Sequence, residues 1–305
     1  MQKRISSRKV ITVSLLVDLL DVILSLAAAI LSGSVVMLAQ VLEGVADLVS
    51  SGLLLVGLAR SGQKADRDHP FGFGRELYFW ALLSAIVMFA ITATLSILFG
   101  WQRFIHPEAL HNIPLALLIL GITVITNAYA FYLSLKRLLR NRSLGLVTRI
   151  FLRSSLIETK TTFILDLMGV SASVLGIVTL FIYKFTGDYR YDGLGAILIG
   201  VVLAVFSFIL LLGIVDLIIG RSASVEVEDR IRSAALRTSE VRRVLGLKTL
   251  HIGPERLLVN LDVHLKHNLT TQHIEELIDK IKEDIKKEVP EVKHIQVELE
   301  TPIEE

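Results

Sequence analysis

Six long apolar segments occupy the chain before about residue 220, and they constrain its fold more than any other feature. Each holds about 20 or more mainly apolar residues, the length that an α-helix needs to cross a bilayer. Helices are expected there, because a helix satisfies the backbone polar groups that lipid leaves without partners. The predicted spans are Val10–Leu31, Val35–Leu58, Leu77–Trp101, Ile113–Leu135, Thr161–Tyr183 and Leu194–Ile219. The sequence therefore predicts a polytopic bundle of six transmembrane helices.

The composition agrees with a membrane location and argues against other classes of protein. Hydrophobic residues make up 52% of the 305 residues, too many for a soluble domain that must also cover its surface with polar groups. The formal net charge of +2 comes from Lys and Arg at the ends of the apolar segments, so membrane lipid is expected and nucleic acid is not. The chain has no cysteine, which leaves oxygen and nitrogen as the ligands for a metal.

Basic residues are distributed unevenly between the two ends of the predicted spans. Lys and Arg are frequent at the N-terminus and in the connections after the second and fourth spans, whereas the other connections contain few. Because cytoplasmic connections are enriched in Lys and Arg, both termini are predicted to be cytoplasmic. The cell membrane is the expected location.

Hydropathy falls after Gly220, where charged and alternating sequence begins. We therefore predict a transmembrane domain over residues 1–220 and a cytoplasmic domain over residues 221–305. Apolar residues in the segment 256–265 recur at every second position, which is typical of a strand with one buried face. The predicted elements are helix Val225–Leu236, strand Val244–Ile252, strand Arg256–Leu265, helix Thr271–Glu288 and strand Val292–Leu299. This order predicts an α+β domain of the ferredoxin-like type.

Acidic side chains recur inside two of the predicted spans. An ionised group is costly in a bilayer, so such residues usually face a water-filled site or a partner. The residues that share a helical face are Gln40, Glu43, Asp47 and Ser51 on the second span, and Glu158, Thr162 and Asp166 on the fifth. Clustered carboxylates need a bound metal ion or bound protons, and a cluster that takes either one is the basis of an antiporter. The alternative is that these acids only hydrogen-bond one helix to another.

The other spans add further polar residues. Asp18 and Asp21 share a face of the first span, and Asn127 lies in the fourth. The sequence leaves open whether Asp18 and Asp21 belong to an ion pathway or serve packing and water access. Acids at the two ends of the sixth span, Asp192 and Asp216, are predicted to be ordinary residues of the membrane interface.

The second span and the connection after it resemble the cation diffusion facilitator family. The matching segments read L-E-G-V-A-D-L-V-S-S and D-R-D-H-P-F-G-F-G-R-E, in which H-P-F-G is the most specific motif. Further matches are L-I-E-T-K-T-T-F-I-L-D-L-M-G in the fifth span and H-I-G-P-E-R-L-L-V-N-L-D-V-H in the soluble part. The resemblance covers nearly the whole chain. It implies a six-span transporter with a metal site on the second and fifth spans and a cytoplasmic ferredoxin-like domain that forms a homodimer.

Carried over by position, the resemblance implies Glu43, Asp47, Thr162 and Asp166 as the four site positions. Two of them depart from the family's pattern, which usually has Asp or His in place of Glu43 and His or Asp in place of Thr162. Because threonine is a poor metal ligand, Glu158 or water is expected to complete the site.

The resemblance implies two further metal-binding regions. In the connection after the second span, His69 matches a metal-binding histidine that Asp66 and Asp68 could assist, but Phe73 replaces a second histidine often found there. Some relatives bind zinc through the soluble domain, whose histidines here are His251, His264, His267, His273 and His294. Their spacing matches no closed zinc motif, and exposed strand histidines are more often solvated than ligating.

Together these features predict a secondary transporter that exports divalent cations of the zinc, manganese or iron class in exchange for protons, without a prosthetic group. Oxygen ligands favour Mn²⁺, Mg²⁺ or Fe²⁺ while the resemblance favours zinc, so the ion stays open. The alternative is a transport-degenerate membrane sensor or scaffold, which the departures at Thr162 and Phe73 favour. An enzyme is not expected, because the sequence has no H-E-x-x-H motif.

Overall fold

A computed structural model describes residues 7–139 and 157–301, with side chains described outside 7–17, 137 and 157–159. Contacts divide the chain into two compact units, one of Met1–Ala59 with Tyr78–Val215 and one of Arg60–Leu77 with Asp216–Glu305. The predicted domain division between residues 220 and 221 stays a prediction.

The first unit is built from long helices. Their bounds are α1 (Ser7–Ser32), α2 (Val35–Ser61), α3 (Glu76–Val87), α4 (Thr94–Ile105), α5 (Ile113–Leu139), α6 (Ile157–Thr186) and α7 (Arg190–Ile219). A π-helical segment, Met88–Ala93, joins α3 to α4 into one continuous span. The predicted helical membrane fold is confirmed. Among the described residues five helices are long and apolar enough to cross a bilayer. The side chains of α1, the predicted first span, are described only from residue 18 onward, so the count of six stays a prediction.

Glycine lets two of these helices approach very closely. A methyl group placed on Gly100 of α4 would lie 2.7 Å from the carbonyl oxygen of Gly193 in α7. The reverse substitution at Gly193 would place a methyl group 2.6 Å from the Gly100 carbonyl oxygen. The two backbones therefore touch, and no larger side chain fits at either position without movement.

The second unit contains the predicted α+β domain. Its elements are α8 (Val225–Leu236), β1 (Val241–Gly253), β2 (Arg256–Leu265), α9 (Thr271–Glu288) and β3 (Val292–Leu299). The strand order is β1-β2-β3, with β1 antiparallel and β3 parallel to the central β2. The bounds of α8, β2, α9 and β3 agree with the prediction.

The β1 strand is longer at both ends than the predicted Val244–Ile252. Its pairing with β2 shifts register between Val241 and Arg243 and again between Val244 and Gly246. An irregularity of this kind breaks the alternation of apolar and polar residues, which was the signal used to place the strand. The apolar face of β2 is fully buried and packs in one core with residues of α8 and α9.

The connection after α2, which carries the H-P-F-G motif, belongs to this second unit. A methyl group on Gly74 would lie 2.5 Å from the carbonyl oxygen of Ile252, at the end of β1. The ring of Phe71 contacts the ring of His294 on β3 edge to face, with centroids 5.2 Å apart. The motif thus packs against the sheet, and its glycine is required by close backbone contact.

Candidate metal site

One face of α2 carries polar side chains into the interior of the helical unit. Gln40 and Glu43 are 3% and 4% exposed, and Asp47 follows one turn after Glu43. Their spacing of three and four residues aligns them along the helix axis. These side chains are withdrawn from the surface of the bundle, as the spacing predicted.

They line a cavity of about 20 Å³ together with residues of α1 and α5. The polar residues at its wall are Asp18, Asp21, Ser25, Gln40, Glu43, Asp47, Thr123 and Asn127. A cavity of about 10–15 Å³ is enough for one water molecule, so this one has room for an ion or water but not for an organic solute. None of the residues described at its wall is basic.

Neighbouring helices hold some of these groups by hydrogen bonds. The Thr126 hydroxyl of α5 lies 3.1 Å from Asp21 Oδ2 and 3.0 Å from the Thr123 carbonyl oxygen, so its single proton serves one or the other. The Ser173 hydroxyl of α6 lies 3.0 Å from Gln40 Oε1 and 2.7 Å from the Gly169 carbonyl oxygen, so its single proton serves one or the other. Within the described part of the chain, eleven buried side-chain atoms have no hydrogen-bond partner, and three of them belong to residues at this cavity: Gln40 Nε2, Glu43 Oε1 and Asp47 Oδ1.

Like charges surround the cavity. Asp47 lies close enough to Glu43, Asp18 and Asp166 for their charges to act on it, and Glu43 is similarly affected by Asp18 and Asp21. Repulsion among carboxylates in a poorly solvated space is relieved by a bound cation or by protons. The arrangement is therefore suited to binding positive charge.

Of the predicted residues of α6, Thr162 and Asp166 are not at the wall of this cavity. Both are half-buried, and the charge of Asp166 acts on Asp47. Lys160, two residues before Thr162 on α6, is 3% exposed. The side chain of Glu158 lies outside the described part of the structure.

Gly169 brings α6 close to the polar face of α2. A methyl group on Gly169 would lie 2.7 Å from Asn127 Nδ2 and 3.1 Å from Glu43 Oε1. This glycine was not singled out in the sequence, because nothing local marks it as a contact between three helices.

The predicted ligands in the connection after α2 form a turn. Asp66 accepts a hydrogen bond from the His69 backbone N–H at 2.6 Å, and the His69 ring nitrogen lies 3.2 Å from the same oxygen. These contacts, the backbone hydrogen bond first, hold the pKa of Asp66 below its usual value. The His69 ring lies against that of Phe73, with centroids 4.2 Å apart, and Asp68 is exposed. The structure brings Asp66 to His69 but no further ligand among these.

Asp192 was predicted to be an ordinary interface residue, and that prediction is wrong. It is 0% exposed and accepts hydrogen bonds from the Ser34 hydroxyl at 2.5 Å and from the Val35 and Val36 backbone N–H groups at 2.8 and 3.2 Å. The first backbone N–H groups of a helix have no acceptor inside the helix. For α2, the carboxylate of Asp192 on α7 is that acceptor. Arg103 Nε lies 3.9 Å away. Asp216, at the other end of α7, is exposed as predicted and pairs with Arg221.

One histidine of the soluble domain is also placed differently from the prediction. His251 on β1 is 5% exposed, so it is not a solvated strand histidine. Over the residues that the structure describes, no three side chains of His, Asp or Glu are assembled to hold a metal ion. The carboxylates of the cavity thus face one space without forming a complete ligand shell.

Comparison with protein families gives two matches that together cover most of the chain. Residues 11–217 match the cation efflux transmembrane domain, and residues 223–302 match the cytoplasmic domain of cation efflux proteins.

Three relatives illustrate the range of similarity. The human proton-coupled zinc antiporter SLC30A9, named as mitochondrial, is 23% identical over 333 residues, covering 95% of this chain and 58% of its own. The cation-efflux pump FieF of Shewanella oneidensis is 28% identical over 244 residues, with 80% and 76% covered. The manganese efflux system protein MneP of Bacillus subtilis is 20% identical over 304 residues, with 98% and 97% covered. The chain thus spans 58% of the length of the zinc antiporter.

Proposed function

Because the chain belongs to the cation diffusion facilitator family, we propose that it exports divalent metal cations from the cytoplasm in exchange for protons. The family resemblance found in the sequence is confirmed by both domain matches. Members of the family and the relatives above are named for transport of cations, which supports transport rather than an enzymatic activity.

One observation carries the proposal. Buried carboxylate oxygens of Glu43 and Asp47, without hydrogen-bond partners among the described residues, face an ion-sized space inside a membrane helix bundle. Buried polar atoms are normally paired, because an unpaired one loses its hydration without replacement. A cation or protons would supply that interaction, and exchange of one for the other is antiport.

The cargo we propose is an ion of the zinc, manganese or iron class. The described acids Glu43, Asp47 and Asp166 offer oxygen, as does Thr162, and Glu158 is the further candidate. Oxygen donors suit Mn²⁺ and Fe²⁺, while Zn²⁺ also accepts carboxylates. One relative is named for zinc and another for manganese, so we keep both ions as candidate cargo. No prosthetic group is needed for such exchange.

The decisive measurement is metal uptake by vesicles that contain the purified protein and have an acidic interior. We expect uptake of Mn²⁺, Zn²⁺ or Fe²⁺ in competition, and we expect it to stop when the proton gradient is collapsed. Undiminished uptake without the gradient would exclude proton antiport. Metal binding without flux under any gradient would favour the alternative, a transport-degenerate metal sensor or scaffold.

Substitutions at the site test its placement. Asp47→Asn and Asp166→Asn should each abolish transport while the protein still inserts, because each removes a charge that offsets the desolvation of the ion, at roughly 3–5 kcal/mol of binding free energy. Thr162→Ala should have a much smaller effect if water or Glu158 completes the site, and Glu158→Gln distinguishes these two. Asp216→Asn, at an exposed end of α7, is the control. Transport at the unmutated rate in Asp166→Asn would show that the site is wrongly placed.

We also propose a homodimer, formed mainly by the cytoplasmic domain over residues 221–305, in the cell membrane with both termini in the cytoplasm. The match to the cytoplasmic domain of cation efflux proteins and the two edge strands of a three-stranded sheet support it. Deletion of residues 222–305 should lower the dimer fraction measured by light scattering in detergent. An unchanged fraction would contradict this assembly.

A further inference from the structure

We propose that the cavity binds one water molecule through Gln40 Nε2, Asn127 Nδ2 and Glu43 Oε1, and that this water positions the Glu43 carboxylate for metal binding. Gln40 and Asn127 are then positioning residues, which act on the metal through the water and Glu43. Their effect on metal binding rests on the proposed function, whereas the water site itself is tested without metal and without transport.

The first support is an N–H donor buried at the cavity wall. Gln40 is 3% exposed, and its Oε1 lies 3.0 Å from the Ser173 hydroxyl of α6. The nitrogen of the same amide, Nε2, has no hydrogen-bond partner among the described residues. A buried N–H group without an acceptor destabilises a protein, so an acceptor is expected in the cavity that Gln40 lines.

The second support is a hydrogen-bond acceptor at the same wall. Glu43 Oε1 is also buried without a partner among the described residues, and residues three apart on a helix are neighbours on its surface. An unpaired donor and an unpaired acceptor beside one space require a molecule that accepts one hydrogen bond and donates another. Water does both, whereas a cation is repelled by the positive end of an N–H group.

The third support is the position of Asn127 on α5. A methyl group on Gly169 would lie 2.7 Å from Asn127 Nδ2 and 3.1 Å from Glu43 Oε1. The two atoms are therefore no further apart than the sum of these distances, which the two hydrogen bonds of one bridging water, about 3 Å each, can span. One N–H of Asn127 has Ser173 Oγ at 3.5 Å, which leaves the second N–H for the water.

The cavity has the size and the polarity that a buried water needs. Its volume is about 20 Å³, and one water needs about 10–15 Å³ and makes about three hydrogen bonds. Gln40, Asn127 and Glu43 offer two donors and one acceptor, which gives three. Because Thr162 and Asp166 of α6 are not at this wall, a water here leaves those candidate ligands to the metal.

The expected consequence concerns the orientation of Glu43. A carboxylate has two oxygens, so a water that donates to Oε1 leaves the other oxygen and the negative charge for a metal ion. Groups that hydrogen-bond a metal-ligating side chain orient it, and their loss typically lowers metal affinity about 10–100-fold. The water therefore increases the metal affinity of the site without being a ligand.

The direct test is water-edited solid-state NMR of the ¹⁵N-labelled full-length protein in lipid, without metal. We expect magnetisation to pass from water to the side-chain amides of Gln40 and Asn127, whose signals are assigned by their loss in Gln40→Met and Asn127→Leu. The exposed amide of Asn268 is the positive control. No transfer to the Gln40 amide would overturn the proposal, and that result is also expected for the reverse amide orientation, with Nε2 toward Ser173.

Calorimetric titration of the purified protein in detergent tests the consequence, with Mn²⁺ as a probe that suits oxygen ligands. The binding component that Asp47→Asn removes defines the transport site. Gln40→Met and Asn127→Leu should each weaken that component about tenfold. Ser134→Ala is the control and should leave it unchanged, because this buried hydroxyl of α5 bonds to the Phe131 carbonyl oxygen of its own helix.

The double variant separates a shared water from two independent structural roles. If Gln40 and Asn127 hold the same water, removing either one releases it, so the double variant should bind Mn²⁺ about as weakly as each single variant. Losses that add up, or an affinity within twofold of the unmutated protein in both single variants, would overturn the positioning role. Absence of transport with the water contact and this coupling intact would overturn only the proposed function.

Discussion

The sheet core of the soluble domain and the cavity of the membrane unit are both buried, but burial acts on them in opposite ways. In β2, Leu257, Val259, Leu261 and Val263 are fully buried against other apolar side chains. Removing such surface from water is favourable, so each of these contacts stabilises the fold. At the cavity the buried groups are carboxylates and amides, whose burial is unfavourable without partners. One region is arranged for stability, and the other retains a destabilising set of charges that a ligand can offset.

The largest effect on stability is expected in the sheet core. Leu261→Ala should lower the free energy of unfolding of the domain by about 2–5 kcal/mol, because it opens a cavity at a fully buried position. Hydrogen exchange of the β-strands in the full-length protein measures this free energy of unfolding. Leu299→Ala, at an exposed position of β3, is the control and should change it by less than about 0.5 kcal/mol. Equal effects at both positions would contradict the assignment of the core.

At the cavity, added volume should impair binding through steric conflict. Gly169→Ala would place its methyl group 2.7 Å from Asn127 Nδ2, which forces a shift that overpacking typically penalises by about 1–3 kcal/mol. We expect Mn²⁺ affinity to fall about tenfold, or about 1.4 kcal/mol, because the added methyl group also lies 3.1 Å from Oε1 of Glu43, a proposed ligand that must then move. Gly121→Ala on α5, where nothing lies within 4 Å, is the matched control. Unchanged affinity in Gly169→Ala would show that α6 does not shape the site.

Asp192 is a buried carboxylate whose hydrogen-bond partners are present, so it can be compared directly with the unpaired acids of the cavity. Asp192→Asn should lower stability, by about 1.5–3 kcal/mol, since hydrogen bonds to a charged acceptor are lost. The sign is opposite to that expected for Glu43→Gln at the cavity, where the carboxylate oxygen Oε1 has no hydrogen-bond partner among the described residues. Thermal unfolding in detergent measures it, with Asp216→Asn expected to change stability by about 0–1 kcal/mol. A stabilising Asp192→Asn substitution would remove the distinction between satisfied and unsatisfied acids.

The smallest effect is expected on the surface of the soluble domain. Glu288 pairs with Arg237 at 3.0 Å and with Arg230 at 3.4 Å, and these hydrogen bonds lower its pKa from 4.5. Because the folded pKa is the lower one, the stabilisation is present above about pH 4.5 and is lost as the pH falls through the folded value. Hydrogen exchange of α9 should show a small difference between Glu288→Gln and the unmutated protein at neutral pH and none in acid. Exposed Glu275→Gln is the control, and a difference that persists in acid would contradict the ion pairs.

The sequence predicted those parts of the fold whose signal is local. Alternation along β2 and helical spacing along α9 gave their bounds, because each pattern is read within one element. The register shifts near the two ends of β1 break the same alternation, so the full length of this strand was missed. Spacing likewise placed Gln40, Glu43 and Asp47 on one face of α2.

Contacts between distant segments could not be read in this way. The partners of Asp192 are 156 to 158 residues away in the sequence, and nothing near it distinguishes a buried capping carboxylate from an interface residue. The role of Asp18 and Asp21 stayed open for the same reason, since the rotation of α1 about its axis depends on its neighbours. His69 matched a ligand position, but its bonding within a turn to Asp66 needed the structure.

The capping of α2 by Asp192 fixes one end of the helix that carries the acids. That anchor is itself held in place, because α7 is in backbone contact with α4 at Gly193 and Gly100. Asp47 lies 12 residues beyond Val35 along α2, which is about 18 Å at the helical rise of about 1.5 Å per residue. Rotation of α2 by about 10° around its anchored start would displace Asp47 by about 3 Å while Val35 stayed in place. A displacement of that size exceeds a metal–oxygen bond of about 2.1 Å, so a slight tilt of one helix, acting as a lever, is enough to open or close a ligand shell.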